Sequence, residues 1–265
     1  LIVGMGNHDF RGGLEPSAWT EDAAKKLEAA FKETFGLESA DQHVVIGGYH
    51  FISLSPNAEN LGNNVGESYS EAKLAWLEAE IQEAIADDAT KPVFVMQHHH
   101  ASGTVYGSGA AGGKQAGLYN LLSKYPQVVD FSGHSHYPVN DPRNVWQGAF
   151  TAIGTGTLYY TGFDINGGPS GVSPDGYQGD YSTSGSKNGA DYGVFQIIEL
   201  NADNDIRVIV YDLRSFEELS RFVIPNPVEN KDFKIEQAVP EFAEDTDIYY
   251  EDGYIYVQQA VSEDI

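Results

Sequence analysis

The first half of the chain alternates apolar runs with amphipathic segments, and this alternation constrains the fold more than any other feature. Helices are predicted over about 20–35, 70–86 and 115–123. Between them, "VVI", "HFISL", "KPVFVMQ" and "VVDF" are β-branched and aromatic runs typical of strands. Strands that alternate with helices build a largely parallel sheet with helices on its faces. The sequence therefore predicts an α/β fold.

After position 136 the predicted strands follow one another without intervening helices. They are the runs "FTAIGTGTLYY", "YGVFQIIEL", "IRVIVYDL" and "SRFVIP". The Gly/Ser/Asn/Asp-rich stretch 162–191 lacks apolar periodicity, and we expect it to be a long surface loop near the site or a partly mobile insert. Near the end of the chain, an alternating strand pair is predicted around a turn at 251–253. We expect one domain over 1–225, followed over 226–265 by a linker and the start of a further β module.

The opening residues, "LIVGMGNHDF", place a polar loop directly after an apolar run. We interpret Leu1–Val3 as the end of a buried strand and Gly4–Asp9 as the loop that follows it. A chain that starts inside a strand lacks what precedes that strand. We therefore expect an N-terminally truncated domain.

The composition excludes several classes of function. Lys and Arg number 15 against 39 Asp and Glu, a formal net charge of −24 that repels nucleic acid and anionic membranes as extended partners. No run of eighteen apolar residues occurs, so no membrane span is predicted. The absence of cysteine excludes disulfides, Cys-zinc sites and thiol nucleophiles. Acidity with many Gly, Asn and Tyr residues favours an extracellular or cell-surface bacterial protein.

Most of the notable polar residues lie in three loops that each follow a predicted strand: 7–9, 98–100 and 134–136. In α/β sheets, ligands gather beyond the carboxyl ends of the strands, so three such loops can converge on one site. Imidazole nitrogen together with amide oxygen suits Zn, Mn or Fe better than Ca²⁺. The sequence therefore predicts a transition-metal site.

The motifs GNHD, a His after a buried strand, and GHSH occur in this order, each at a strand end. Together they resemble the calcineurin-like metallophosphoesterase family. The resemblance covers about 1–224, and "YSEAKLAWLEAEI" is similar to a helix of that family. It implies a four-layer α/β/β/α sandwich of two mixed sheets flanked by helices, here truncated at its N-terminus. It also implies metal-dependent hydrolysis of phosphate esters by a water that two metal ions activate.

The resemblance assigns roles to individual residues. It implies that Asn7, His98 and His134 are ligands of a second metal ion and that His136 is a ligand of a first. His8 matches the histidine that contacts the phosphate and acts as general acid toward the leaving group. The complete protein is expected to hold two divalent or trivalent ions of Mn, Fe or Zn.

The sequence also departs from the family pattern. Asp-x-His and Gly-Asp-x-x-Asp, which in that family supply first-metal ligands and the bridging carboxylate, do not precede GNHD here. We therefore expect at most one weakly bound ion and no hydrolysis by this chain alone, the activity belonging to a longer parent protein. The alternatives are a purple-acid-phosphatase-like or nucleotidase-like enzyme, or a non-catalytic, surface-displayed binding module on the same scaffold.

Other residues near these motifs receive supporting roles or none. Asp9 is expected to hold its loop through hydrogen bonds to backbone N–H groups. His99 and His100 are expected to orient the metal ligands without binding the metal themselves. His43 and His50 fall in a predicted hairpin and are assigned no role. Four side chains are candidates for shaping substrate access: Arg143, Trp146, Tyr159 and Tyr160.

Overall fold

A computed structural model of the chain describes residues 1–62, 64–108, 115–137, 142–158, 193–229, 248–251 and 254–257. Tyr159, Tyr160 and the stretch 162–191 lie outside the described residues, as do Asp252 and Gly253 of the predicted turn. The chain divides into two units, Leu1–Phe233 and Lys234–Ile265.

The helices and strands of the first unit follow the predicted alternation. Its three α-helices are α1 (Glu21–Phe35), α2 (Glu71–Asp87) and α3 (Ala116–Leu122). Its strands are β1 (Gln42–Ile46), β2 (Tyr49–Leu54), β3 (Val93–Gln97), β4 (Val128–Ser132), β5 (Val145–Gln147), β6 (Thr151–Gly154), β7 (Val194–Leu200), β8 (Ile206–Asp212) and β9 (Glu218–Ile224). Two short 3-10 helices cover Pro16–Ala18 and Pro142–Asn144. All of these strands except β5 overlap predicted runs, some of them extending one or two residues beyond the run.

The strands form one mixed sheet and one antiparallel sheet. The six-stranded sheet has the order β1-β2-β3-β4-β6-β5, in which β2, β3, β4 and β6 are parallel and the two edge strands are antiparallel to their neighbours. The three-stranded antiparallel sheet has the order β7-β8-β9. The predicted α/β fold is confirmed at this level. Because β2, β3 and β4 run in the same direction, their carboxyl ends share one edge of the sheet.

Local sequence sets the ends of these elements. The side chains of Thr20 and Ser70 cap α1 and α2 by accepting backbone N–H groups of the first turn. Gly36 ends α1 in the left-handed conformation, at a φ of 66°. The hairpin between β1 and β2 turns at Gly47 and Gly48, both at positive φ, as a two-residue hairpin loop requires.

The main hydrophobic core lies between the six-stranded sheet and the helices α2 and α3. Leu77 and Ile81 of α2 and Leu118 of α3 are buried in one cluster with Ile52 and Val95 of the sheet. Burying a side chain of this size contributes about 1.5–3 kcal/mol to stability. This packing holds the parallel strands, and therefore the loops at their ends, in a fixed arrangement.

The three-stranded sheet covers the opposite face of the six-stranded sheet. Phe51, Phe94 and Phe131 point toward that face and, with Val194 and Phe195 of β7, line a cavity of about 700 Å³. A hydrogen bond links the two sheets directly, from the side-chain amide of Gln196 to the carbonyl of Gly154. The described residues of the first unit thus form three layers: helices, mixed sheet and antiparallel sheet.

The opening segment differs from the prediction. Residues 1–6 form no strand and Leu1 is fully exposed, so the interpretation of Leu1–Val3 as a buried strand end is wrong. The segment instead crosses the carboxyl ends of the strands, where Met5 N–H donates to Ser55 Oγ at 3.1 Å. Because β2, β3 and β4 each pair with a strand on both sides, no free strand edge is left beside them for this segment.

The second unit contains the predicted strand pair. Its strands β10 (Ile248–Glu251) and β11 (Tyr254–Val257) form an antiparallel hairpin with Ile248 opposite Val257. Among the described residues of the whole chain, no helix reaches the length and hydropathy that crossing a bilayer requires.

Candidate metal centre

The loops after β3 and β4 and the opening loop meet at one edge of the sheet. His98 directly follows β3, His134 follows β4 after a single glycine, and Asn7 reaches them from the segment that crosses the strand ends. His98 Nε2 lies 3.0 Å from Asn7 Oδ1 and 3.1 Å from His134 Nδ1. Two of the four predicted metal ligands, Asn7 and His134, therefore contact a third, His98.

The contacts around His98 Nε2 suit a cation better than a hydrogen. A ring nitrogen carries either one hydrogen or one lone pair, so it cannot satisfy both an amide oxygen and a second imidazole nitrogen. Ligand atoms bound about 2.1 Å from one ion lie about 3.0 to 3.4 Å apart. The distances from His98 to Asn7 and His134 are 3.0 and 3.1 Å, which is that spacing. The donor set thus fits an ion of the Zn²⁺ class.

The imidazoles of this edge are held in the neutral form that metal binding needs. Burial lowers the pKa of His98 well below its usual value, and neighbouring histidines lower it further. Burial also lowers the pKa of His134 to about 3 and that of His136 to about 4. Their lone pairs are therefore available at neutral pH.

His99 joins this group more closely than predicted. Its side chain is fully buried, and among the described residues its two ring nitrogens have no hydrogen-bond partner. Its Nε2 approaches Glu67 Oε2 at 3.4 Å without hydrogen-bond alignment. One ligand nitrogen from each of His98, His99 and His134 lies within 4.8 Å of the other two. We call Asn7 and these three histidines the central cluster.

Glu67 is the residue of the site that sequence reasoning missed. It accepts a hydrogen bond from Asn7 Nδ2 at 3.0 Å, which turns Asn7 Oδ1 toward His98. The guanidinium of Arg11 balances the charge of Glu67 through an ion pair and lies over the ring of Trp19. Since Glu67 lies 60 positions from Asn7 and belongs to no local motif, only the fold brings the two together.

A buried polar network holds the backbone after β3. The hydroxyl of Tyr69 accepts the N–H groups of His98 and His99, both at 3.2 Å, and donates to Gln97 Oε1 at 2.9 Å. The side-chain amide of Gln97 in turn donates to the carboxyl of Asp130. Burial raises the pKa of Asp130 to about 7. The network fixes where the two imidazoles leave the sheet.

His100 links the loop after β3 to the loop after β4. Its ring nitrogens lie 2.7 Å from Ser132 Oγ and 2.7 Å from Ser135 Oγ. Ser135 lies between His134 and His136, whose φ values of 62° and 61° fall in the left-handed region that few residues other than glycine adopt. Such strain persists only where surrounding contacts enforce it. The contacts of His100 agree with its predicted supporting role.

The remaining predicted residues take different positions. Asp9 accepts the backbone N–H of Gly6 at 2.7 Å, as predicted. His8 is exposed, and its charge lowers the pKa of His136 after the larger effect of burial. Arg143 stacks over the ring of Tyr106 at 4.0 Å.

Trp146 does not behave as a residue that shapes substrate access. Its ring lies 5.2 Å from that of Phe150, and both contact the hydrophobic core between the sheet and the helices. The side chain of Trp146 on the short strand β5 is partly buried, and its packing against the neighbouring core accounts for its position without a role in substrate access. Tyr159 and Tyr160 lie outside the described residues.

Comparison of the chain with family models, with curated proteins and with solved structures finds no match. The resemblance to a known family therefore depends on the three motifs alone. What these residues can bind depends on the geometry that the motifs adopt at the edge of the sheet.

Proposed function

We propose that this chain carries the second-metal half of a metal-dependent phosphoesterase site of the calcineurin-like kind. The observation that supports it most is the convergence of Asn7 Oδ1 and His134 Nδ1 on His98 Nε2, at 3.0 and 3.1 Å. These are the residues that the motif resemblance assigns to one ion. Within the same proposal, the three described layers belong to a four-layer α/β/β/α sandwich whose last helical layer covers the antiparallel sheet.

The protein's own residues have separable tasks in this proposal. Asn7, His98 and His134 bind an ion of Zn, Mn or Fe, and Glu67 orients the amide of Asn7. His8, exposed beside this edge, donates a proton to the leaving oxygen. Metal bound by these residues would supply positive charge that neutralises the phosphate and would activate a water for attack.

The charge of the ligands supports a phosphate as the substrate. Asn7, His98 and His134 are neutral, so a divalent ion held by them keeps its full charge and reverses the local sign of a chain whose formal charge is −24. Since neither Asp-x-His nor Gly-Asp-x-x-Asp occurs before GNHD, we propose that this chain binds one ion here and that hydrolysis needs carboxylate ligands which its motifs do not supply.

Metal content measured on the full chain tests the proposal. After exposure to Mn²⁺, Fe²⁺ and Zn²⁺ in turn, elemental mass spectrometry should show one ion fewer per chain in His134→Ala than in the wild type. His8→Ala is the matched control, because His8 is proposed to transfer a proton and not to bind metal, and its metal content should equal that of the wild type.

Equal metal content in the wild type and in His134→Ala would contradict the proposal. It would favour the alternative of a binding module that keeps the scaffold without a working metal site. With one ion bound, the wild-type chain should release nitrophenol from nitrophenyl phosphate esters no faster than His134→Ala does. Turnover above that rate would show that the chain supplies carboxylate ligands not identified in its sequence.

A further inference from the structure

A second group of histidines and carboxylates lies where the β1–β2 hairpin packs against α2, away from the central cluster at the carboxyl ends of the strands. His43 Nδ1 lies 2.5 Å from Glu80 Oε2, and His43 Nε2 lies 2.7 Å from His50 Nδ1. His50 Nε2 lies 3.2 Å from Asp87 Oδ2. We call these four residues and Glu83, which adjoins Glu80 and His43, the outer cluster.

Regular secondary structure assembles the outer cluster. In the β1–β2 hairpin, His43 pairs with Ile52 and Val45 pairs with His50, so the two histidines are diagonal neighbours on one face of the sheet. Glu80, Glu83 and Asp87 follow at steps of three and four along α2, which places them on one side of that helix. Packing of α2 on β2 then brings this stripe of carboxylates against the two rings.

The contacts of the outer cluster need one more hydrogen than two neutral histidines provide. Three contacts connect Glu80, His43, His50 and Asp87 in a row, and each contact needs one hydrogen. Carboxylates only accept, and two neutral imidazoles carry two hydrogens in total. One contact in the row therefore requires an additional positive charge.

The most consistent place for that charge is at His43 Nδ1. If His50 donates to Asp87 and His43 donates to His50, both rings are oriented and the Nδ1 lone pair of His43 faces Glu80. Metal-bound histidines are held in this way, with the other ring nitrogen donating to a fixed acceptor. The ligand atoms of His43, Glu80 and Glu83 also lie within 4.8 Å of one another. The 2.5 Å between His43 Nδ1 and Glu80 Oε2 is the spacing of a hydrogen bond, so an ion that binds both atoms must displace the Glu80 carboxylate by about 0.5–1 Å.

We propose that His43, Glu80 and Glu83 bind a divalent transition-metal ion of the Zn²⁺ class, with His50 and Asp87 orienting His43. One imidazole and two carboxylates are ligands that Zn²⁺ accepts, and a fourth position is left for water. The side chains of His43 and Glu80 are 12% and 20% exposed, and Glu83 opens the site to solvent. Two carboxylates neutralise a divalent ion, so the site stabilises the hairpin against α2 and does not attract a phosphate.

Zinc titration of full-length variants tests the proposal. His134→Ala serves as the background, because it removes binding at the central cluster. In that background, Glu83→Gln removes a ligand, Asp87→Asn removes the carboxylate behind His50, and Glu71→Gln removes an exposed carboxylate elsewhere on α2. Each substitution removes one negative charge at nearly constant size, so the general attraction of cations changes equally in all three.

We expect the Zn²⁺ dissociation constant, measured by titration calorimetry, to separate the three variants. Asp87→Asn should raise it about 10-fold or more, as loss of an outer partner of a metal ligand does, and Glu83→Gln should raise it further. Glu71→Gln should leave it within about twofold, as expected for a residue that contacts no ligand. In NMR spectra of the ¹⁵N-labelled chain, the His43 Nδ1 signal should shift on addition of Zn²⁺.

Two results would overturn the proposal. In the first, Glu83→Gln and Glu71→Gln bind Zn²⁺ equally, which means that the ion binds the acidic surface nonspecifically. In the second, His134→Ala binds no Zn²⁺ and the His43 signal responds to pH alone, which means that a shared proton supplies the missing charge. Neither result affects the proposal for the central cluster, whose own test compares the wild type with His134→Ala.

Discussion

The central cluster lies at the carboxyl ends of the parallel strands and the outer cluster between the β1–β2 hairpin and α2, and the two differ in the charge of their ligands. The central cluster offers an amide and imidazoles, all neutral, and its nearby carboxylate Glu67 is already paired with Arg11. The outer cluster offers one imidazole and two carboxylates. A divalent ion would therefore keep a charge of about +2 at the first and about zero at the second. Metal ligands alone therefore do not define a phosphate site, since only an ion whose charge is not neutralised by its ligands attracts a phosphate.

Phosphate binding should follow the central cluster alone, and this is the largest effect that we expect. With Mn²⁺ present at saturation, His134→Ala should weaken the binding of inorganic phosphate by on the order of 100-fold, because a metal–phosphate contact is worth several kcal/mol. Glu83→Gln in the outer cluster should leave phosphate affinity unchanged. Titration calorimetry measures both. Equal losses in the two variants would remove the distinction between the clusters.

Stability should also depend more on Glu67, the carboxylate beside the central cluster, than on a carboxylate of the outer cluster. Glu67→Gln leaves the guanidinium of Arg11 without its counter-charge in a site where the Arg11 side chain is only 10% exposed. Removing one partner of such a pair costs about 3 kcal/mol. Glu83→Gln, at an exposed position of the outer cluster, should change the free energy of unfolding by less than about 0.5 kcal/mol. Urea denaturation of the metal-free proteins compares them, and a loss below 1 kcal/mol in Glu67→Gln would show that Arg11 finds other partners.

The sequence predicts the parts of this molecule that depend on local pattern. The alternation of apolar runs and amphipathic helices predicts the order of α1 to α3 and of the parallel strands, because periodicity reports which face of an element is buried. The same reasoning predicts that His98 and His134 share an edge of the sheet, since parallel strands end on the same side. Asn7 reaches that edge as the motif resemblance implies, although the segment before it is not a strand.

What the sequence does not predict depends on contacts between distant positions. Glu67 carries no local signal, because its role comes from a hydrogen bond to a residue 60 positions away. His43 and His50 receive no role from the sequence, since their partners on α2 have the spacing of any solvated helix face. Only the pairing of the hairpin with that helix reveals that the row of contacts lacks a hydrogen.

The two clusters should also differ in how stability depends on pH, because the network that supports the central cluster contains the buried carboxyl of Asp130. Burial raises the pKa of Asp130 from 3.8 to about 7, so between these values the folded chain holds a proton that the unfolded chain has released. The stability contributed by Asp130 is therefore present at low pH and falls as the pH rises toward 7.

Asp130→Asn isolates this contribution from those of the histidines. The free energy of unfolding of the wild type, minus that of the variant, should fall by about 1.6 kcal/mol between pH 5.5 and pH 7, because the slope is about 1.4 kcal/mol per pH unit near pH 5.5 and half of that at pH 7. Urea denaturation at a series of pH values measures the difference. A constant difference across this range would mean that Asp130 is already ionised in the folded protein at pH 5.5.

The smallest expected effect concerns backbone strain, which accompanies the central cluster but not the outer one. His136 has a φ of 61°, whereas the five residues of the outer cluster lie in regular strands or in α2. In the metal-free chain, His136→Gly should raise the free energy of unfolding by about 0.5–1 kcal/mol, because glycine adopts this conformation without strain. Phe216→Gly, at a φ of 57° in an exposed turn, is the matched control and should give a similar gain.

If only the control gains stability, the contacts of the His136 ring stabilise its loop by more free energy than the strained backbone of His136 costs. If both gain, the protein keeps a destabilising histidine where glycine would fold better, as expected of a residue retained for binding.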